Sequence, residues 1–146
     1  MVRTVLQVLL FALGVSAIAI GSSIFLLGAT FTGGQAETVF NLLSGGRTHS
    51  PPFTATADSE LRFYAPFWVV YGGLLIWTAR RLATRLRHVL PLAAVFFAGG
   101  VGRLISLLVV GPPHPAFTML MVIELVLPPV FLALWAAARR GRPDGR

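Results

Sequence analysis

Four long apolar runs constrain this chain more than anything else in it. They extend from Val5 to Ala29, Leu61 to Ala79, Val89 to Val110 and Phe117 to Ala138. At ~1.5 Å of rise per residue, runs of this length cross a hydrocarbon core of ~30 Å, with the second at the short end of the range. A signal peptide is the competing reading of the first run, but its apolar stretch is too long for an h-region and carries a single early charge, Arg3. The expected fold is all-α: one domain over 1–146, a transmembrane four-helix bundle.

Composition supports a chain surrounded by lipid. Hydrophobic residues make up 55% and charged residues 12%, against roughly 25% charged in a soluble domain, so the shortage falls on the surface. The net charge of +7 is a weak argument for nucleic acid, because the arginines gather at the ends of apolar runs and not on a solvated face. The bilayer is the expected partner, and no nucleic acid is expected. Without cysteine there is no disulfide framework, thiolate metal site or dithiol redox chemistry.

Arginines also orient the bundle, since cytoplasmic loops collect them. Arg3, Arg80, Arg81, Arg85, Arg87, Arg139, Arg140, Arg142 and Arg146 fall on one side; Arg47 and Arg62 fall on the other. Both termini are therefore expected in the cytoplasm. The first outer loop, about 30–59, contains Ala36-Glu37-Thr38-Val39-Phe40-Asn41-Leu42-Leu43, which suits a short interfacial helix ended by Gly45-Gly46. Asp58 or Ser59 is the expected cap of the second span.

Membrane helices meet through small residues and polar contacts. Gly14, Gly21 and Gly28, with Ala17, draw one such stripe on the first span, and Ala98, Gly99, Gly100 and Gly102 cluster just before Arg103. The Gly99-Gly100-Val101-Gly102 stretch follows no strand and is not a phosphate loop. Two charges lie well inside spans, at about 2.5 to 3.5 kcal/mol each on insertion scales. Arg103 stands seven residues before Val110 and Glu124 seven after Phe117, so both lie ~10 Å below the outer boundary. A short turn joins their helices, and the two charges are expected to pair.

Glu60, Arg62 and Tyr64 at the outer mouth of the second span are the other candidates, Glu60 and Tyr64 sharing one face. Pro66, Pro128 and Pro129 free the carbonyls of Arg62, Glu124 and Leu125 and are expected to bend their helices, opening an outward polar recess. The aromatic set Phe63, Tyr64, Phe67, Trp68, Tyr71 and Trp77 fits a pocket lining or a belt. His49, His88 and His114 sit on different sides, so no metal set with Glu124 and no cofactor is expected.

The segments Asp58–Tyr64, Gly99–Ser106, Gly111-Pro112-Pro113 and Glu124–Pro129 together resemble a bacterial family of four-helix membrane proteins known as domain of unknown function 4345. The likeness covers nearly the whole chain. It implies four helices and a bacterial membrane, and brings no activity, substrate or cofactor with it; the expected location is the bacterial cytoplasmic membrane.

Three functions fit these residues. A binding or accessory protein would hold a lipid-like or other apolar ligand, or a partner's helix, around Glu60, Arg62, Tyr64, Arg103 and Glu124. An intramembrane enzyme would use Glu60 or Glu124 as acid or base. A small oligomeric transporter would couple a membrane carboxylate to protons, although the first span carries no charge. With no ligand, the same charges would form a buried network that fixes helix register.

Overall fold

A computed structural model describes residues 1–140; the tail, with Arg142 and Arg146 of the arginine count, lies outside the described residues. Every regular element among the described residues is helical: α1 (Val2–Leu27), α2 (Ala29–Ser44), α3 (Ala55–Arg80), α4 (Leu82–Arg85), a 3-10 turn (Leu86–His88), α5 (Val89–Val109) and α6 (Pro115–Arg140). Three segments are long and apolar enough to cross a membrane: Val2–Leu27, Leu82–Val109 and Pro115–Arg140. The expected second span lies inside α3, which has 26 residues but is not one of those three. Its Pro66, Gly72, Gly73 and polar-tipped Tyr64, Trp68, Tyr71 and Trp77 dilute its apolarity.

The α3 start also differs from expectation. Thr54 is the cap, its hydroxyl accepting from the Ala57 N–H at 3.2 Å, so the helix begins ahead of Asp58 and Ser59. Asp58 is thereby free for another task, described below. The helix expected in the first loop is longer than its apolar residues alone suggest, filling Ala29–Ser44 and ending at Gly45 in the left-handed region, φ 72°.

Helices α1 and α3 pack antiparallel along most of their lengths. A Cβ built on Gly14 would lie 2.8 Å from the Gly72 carbonyl oxygen, and one on Gly72 would lie 2.6 Å from that of Gly14. Further out, Gly21 faces the Ala65 carbonyl oxygen at 2.9 Å, and Gly28 faces Arg62. The glycine stripe is thus the seam, with Ala17 also buried on α1, and its partner is α3. Helices α5 and α6 form the second close pair, meeting at Gly100. Toward the arginine-rich end the two pairs share one apolar core around Leu6, Leu10, Leu75, Val89, Leu92 and Phe131. There the Tyr71 hydroxyl donates to the Leu92 carbonyl at 2.8 Å, and Arg3 donates to the Ala138 carbonyl at 3.1 Å.

The exposed surface departs from that of a water-soluble bundle. Glu37, Asn41, Thr78 and Glu124 are inside, whereas Phe63, Phe67, Val70 and Leu108 are each more than 60% exposed. A surface of this kind is stable where the surroundings are apolar.

Candidate functional site

Arg103 of α5 and Glu124 of α6 meet as their equal depth predicts. The guanidinium Nε donates to Oε2 at 2.8 Å. The carboxylate is deeply buried, its side chain 6% exposed, while the Arg103 side chain keeps 37% of its surface open. Small residues make this approach possible. A Cβ on Gly100 would lie 3.0 Å from the carbonyl carbon and Cβ of Glu124, so any side chain there would push α6 away. Gly99, on the exposed side of α5, stands over the carboxylate: a Cβ there would lie 3.9 Å from Oε2. Arginine carries five N–H donors, and among the described residues the Nε bond to Glu124 is the one Arg103 makes.

Arg62 is engaged elsewhere. Its Nε donates to Oδ2 of Asp58 at 2.7 Å, and Nη1 donates to the Phe25 carbonyl at 2.8 Å, one of the orphan acceptors at the C-terminus of α1. The other Asp58 oxygen accepts from the Ala29 N–H at 2.7 Å, at the start of α2. One ion pair therefore satisfies both sides of the α1–α2 corner, and the Arg62 hydrogen bond holds the Asp58 carboxyl below its ordinary range. The corner turns on Gly28, φ 91° and ψ 164°, a region essentially confined to glycine. Gly28→Ala is expected to cost about 1–3 kcal/mol by backbone strain, and a Cβ would also crowd Nη2 of Arg62 at 2.5 Å. Unfolding by denaturing detergent measures it.

Glu60 and Tyr64 are exposed, and no hydrogen bond ties either to Arg103 or Glu124 among the described residues. Tyr64 instead packs edge-on against Phe63. Of the expected five-residue cluster the structure brings together Arg103 and Glu124. The prolines divide likewise: Pro66 is exposed, Pro128 is buried one turn after Glu124, and Pro129 is exposed. Neither the cavity beside Phe11 and Ala79 nor the one beside Glu37 and Ser50 adjoins the pair, and the half-open Arg103 side chain reaches a side surface. Phe63, Phe67 and Trp77 of the aromatic set are exposed, and none of the set lines either cavity.

The residue that sequence reasoning passed over is Glu37. Only 4% exposed, it accepts the Ser50 N–H through Oε2 at 3.0 Å, with Nδ1 of His49 at 3.6 Å. One turn further, Asn41 Nδ2 donates to the Thr48 carbonyl at 2.7 Å. Nδ1 of His114 accepts from the Ala116 N–H, placing the proton on Nε2, which donates to the same Thr48 carbonyl at 2.9 Å. The loop after α2 is thus clasped between α2 and the start of α6, beside a cavity of about 120 Å³. The i, i+4 spacing of Ala29, Gly33, Glu37 and Asn41 was the available signal.

Burial pushes the Glu37 carboxyl up, but hydrogen bonds from Ser50, with His114 and His49 nearby, outweigh it and leave the group below the ordinary carboxylate range. A folded pKa lowered in this way stabilises the clasp above the unfolded value and loses that contribution as pH falls through the folded one. Amide-exchange protection at Ser50 is expected to hold at neutral pH and to be lost as acidification passes below the ordinary carboxylate range. Glu37→Gln should remove that dependence.

Comparison with known families adds one finding. The profile described as Domain of unknown function (DUF4345) matches residues 5–135. The chain belongs to this family. The DUF4345 match takes in α1 to α5 and most of α6, including Arg103 and Glu124. No curated protein and no solved structure matches the chain.

Proposed function

We propose that this DUF4345 chain is a four-crossing protein of the bacterial cytoplasmic membrane, with both termini inside, that binds a lipid-like ligand at Arg103 and Glu124. One observation carries the reading: a guanidinium with spare donors, held by a buried carboxylate, on a surface that otherwise suits hydrocarbon. A pair whose sole task was fixing helix register would do better with both groups enclosed and the guanidinium fully used.

Support for the fourth crossing comes from α3. Phe63, Phe67, Val70, Leu74 and Trp77 are all exposed and, at spacings of four and three, form one apolar stripe along its length. Its antiparallel seam with α1 places the α3 C-terminus near Arg3, and the Arg3 bond to Ala138 brings the end of α6 to that same level. The arginines of the connection between α3 and α5 and those that end α6, Arg139 and Arg140, then share one end, as the positive-inside rule requires.

Mass spectrometry of small molecules retained by the purified chain in mild detergent tests the reading. Wild type is expected to retain a ligand that Glu124→Gln loses, because the amide no longer holds the guanidinium as an ion pair. The same set of molecules in both would contradict it.

A further inference from the structure

We infer that the ligand of this site is a neutral, oxygen-bearing hydrophobe, a long-chain alcohol or ketone and not an anionic lipid, and that it enters sideways from the bilayer through the gap left by Gly99. The inference rests on the binding role proposed above and adds the chemical class and the route.

Charge decides the class. Arg103 and Glu124 sum to zero, and their contact already neutralises the guanidinium. An anion brought to the same depth would leave one net negative charge in a medium that solvates it poorly, a cost of several kcal/mol. A neutral hydroxyl or carbonyl oxygen avoids that cost and still accepts from the N–H groups that Arg103 does not spend on Glu124. A hydroxyl can in addition donate to the carboxylate. Depth points the same way. The pair lies ~10 Å inside the outer boundary, below the level where charged headgroups stay hydrated, so its partner must carry a polar atom that tolerates hydrocarbon.

Geometry decides the route. On the exposed face of α5, Gly99 and Gly102 leave the turn just before Arg103 without side chains. A Cβ on Gly102 would meet nothing within 4 Å, and one on Gly99 would meet only Oε2 of Glu124, at an ordinary contact distance of 3.9 Å. The neighbouring Gly100 is different, since it is closed by α6 itself. Gly99 is therefore the position where a side chain would cover the carboxylate without disturbing helix packing. The apolar surface on either side, Val95 on α5 and Val126 on α6, is open to a chain lying along it.

The test uses the full chain in phosphatidylcholine nanodiscs, photolabelled with a diazirine-bearing hexadecanol or with the sulfate ester of the same alcohol. Label in α5 and α6 peptides is quantified by mass spectrometry for wild type, Gly99→Leu, Gly102→Leu and Glu124→Gln. The alcohol is expected to label wild type and Gly102→Leu equally, and Gly99→Leu and Glu124→Gln about tenfold less, the loss equivalent to one charge-assisted hydrogen bond. The sulfate is expected to label wild type, Gly99→Leu and Gly102→Leu at the level of irradiated lipid background, and Glu124→Gln above it, because the guanidinium there is no longer neutralised. Gly99→Leu labelled like wild type by the alcohol while Glu124→Gln loses that label would overturn the route and leave the binding role standing. Sulfate labelling of wild type above that of the alcohol would overturn the class. Equal alcohol labelling of all four variants would overturn the binding role itself. Thermal stability of Gly99→Leu, expected to match wild type, separates a plugged site from a misfolded one.

Discussion

Truncation of Glu124 to alanine is expected to destabilise the bundle by about 3 kcal/mol, the lower end of the range for breaking a buried ion pair. The Arg103 guanidinium would lose its counter-charge in a region with no water to replace it. Its 37% exposure lets the long side chain tilt toward the interface, which is why the lower end applies. Arg103→Ala should cost a similar amount, less whatever is recovered when the buried carboxyl takes up a proton. Replacing both residues with leucine should bring stability back to within about 1 kcal/mol of wild type, because neither desolvated charge then remains. Reversible unfolding in mixed micelles, run as a four-member cycle, measures the coupling. Strictly additive losses would mean that the two groups do not interact.

The second large effect is expected at the seam of α1 and α3. Gly72→Ala places a methyl group 2.6 Å from the Gly14 carbonyl oxygen and 3.0 Å from the Ile18 nitrogen. Both obstacles are backbone, so the helices must separate. Overpacking of this kind costs about 1–3 kcal/mol, and Gly72→Leu should exceed it. Gly73 supplies the contrast, being exposed with nothing within 4 Å. Gly73→Ala should gain up to about 1 kcal/mol from helix propensity alone. Thermal unfolding in detergent should therefore shift in opposite directions for two adjacent glycines.

These two features were also the most readable from the amino-acid sequence, and for related reasons. A helix in lipid is straight enough that counting residues gives depth, so the sequence alone matches Arg103 and Glu124 across a short turn. Glycine every seven residues gives a face, so the seam of α1 could be drawn, although not its partner Gly72. The outer loop resisted this treatment because its order depends on contacts distant in sequence. Glu37 holds Ser50, His114 holds Thr48, and Asp58 reaches Ala29 across 29 positions. Arg62 was misplaced for the same reason. Periodicity puts it on a helix surface but cannot show that the end of α1 arrives there needing a donor. Pro66 was read as part of the polar level because a proline's missing bond is visible in sequence, whereas the direction its helix faces is set by packing.

The side of the bilayer toward which the pair lies depends on whether α3 crosses it. Because the chain contains no cysteine, single-cysteine variants report topology against an empty background. Arg47→Cys, Thr84→Cys and Pro113→Cys, each at an exposed position, can be treated in intact cells with a membrane-impermeant maleimide. Labelling at 47 and 113 without permeabilisation, and at 84 only after it, is the predicted result. Labelling at 47 and 84 from the same side would mean that α3 returns without crossing, and would contradict the four-crossing topology with both termini inside.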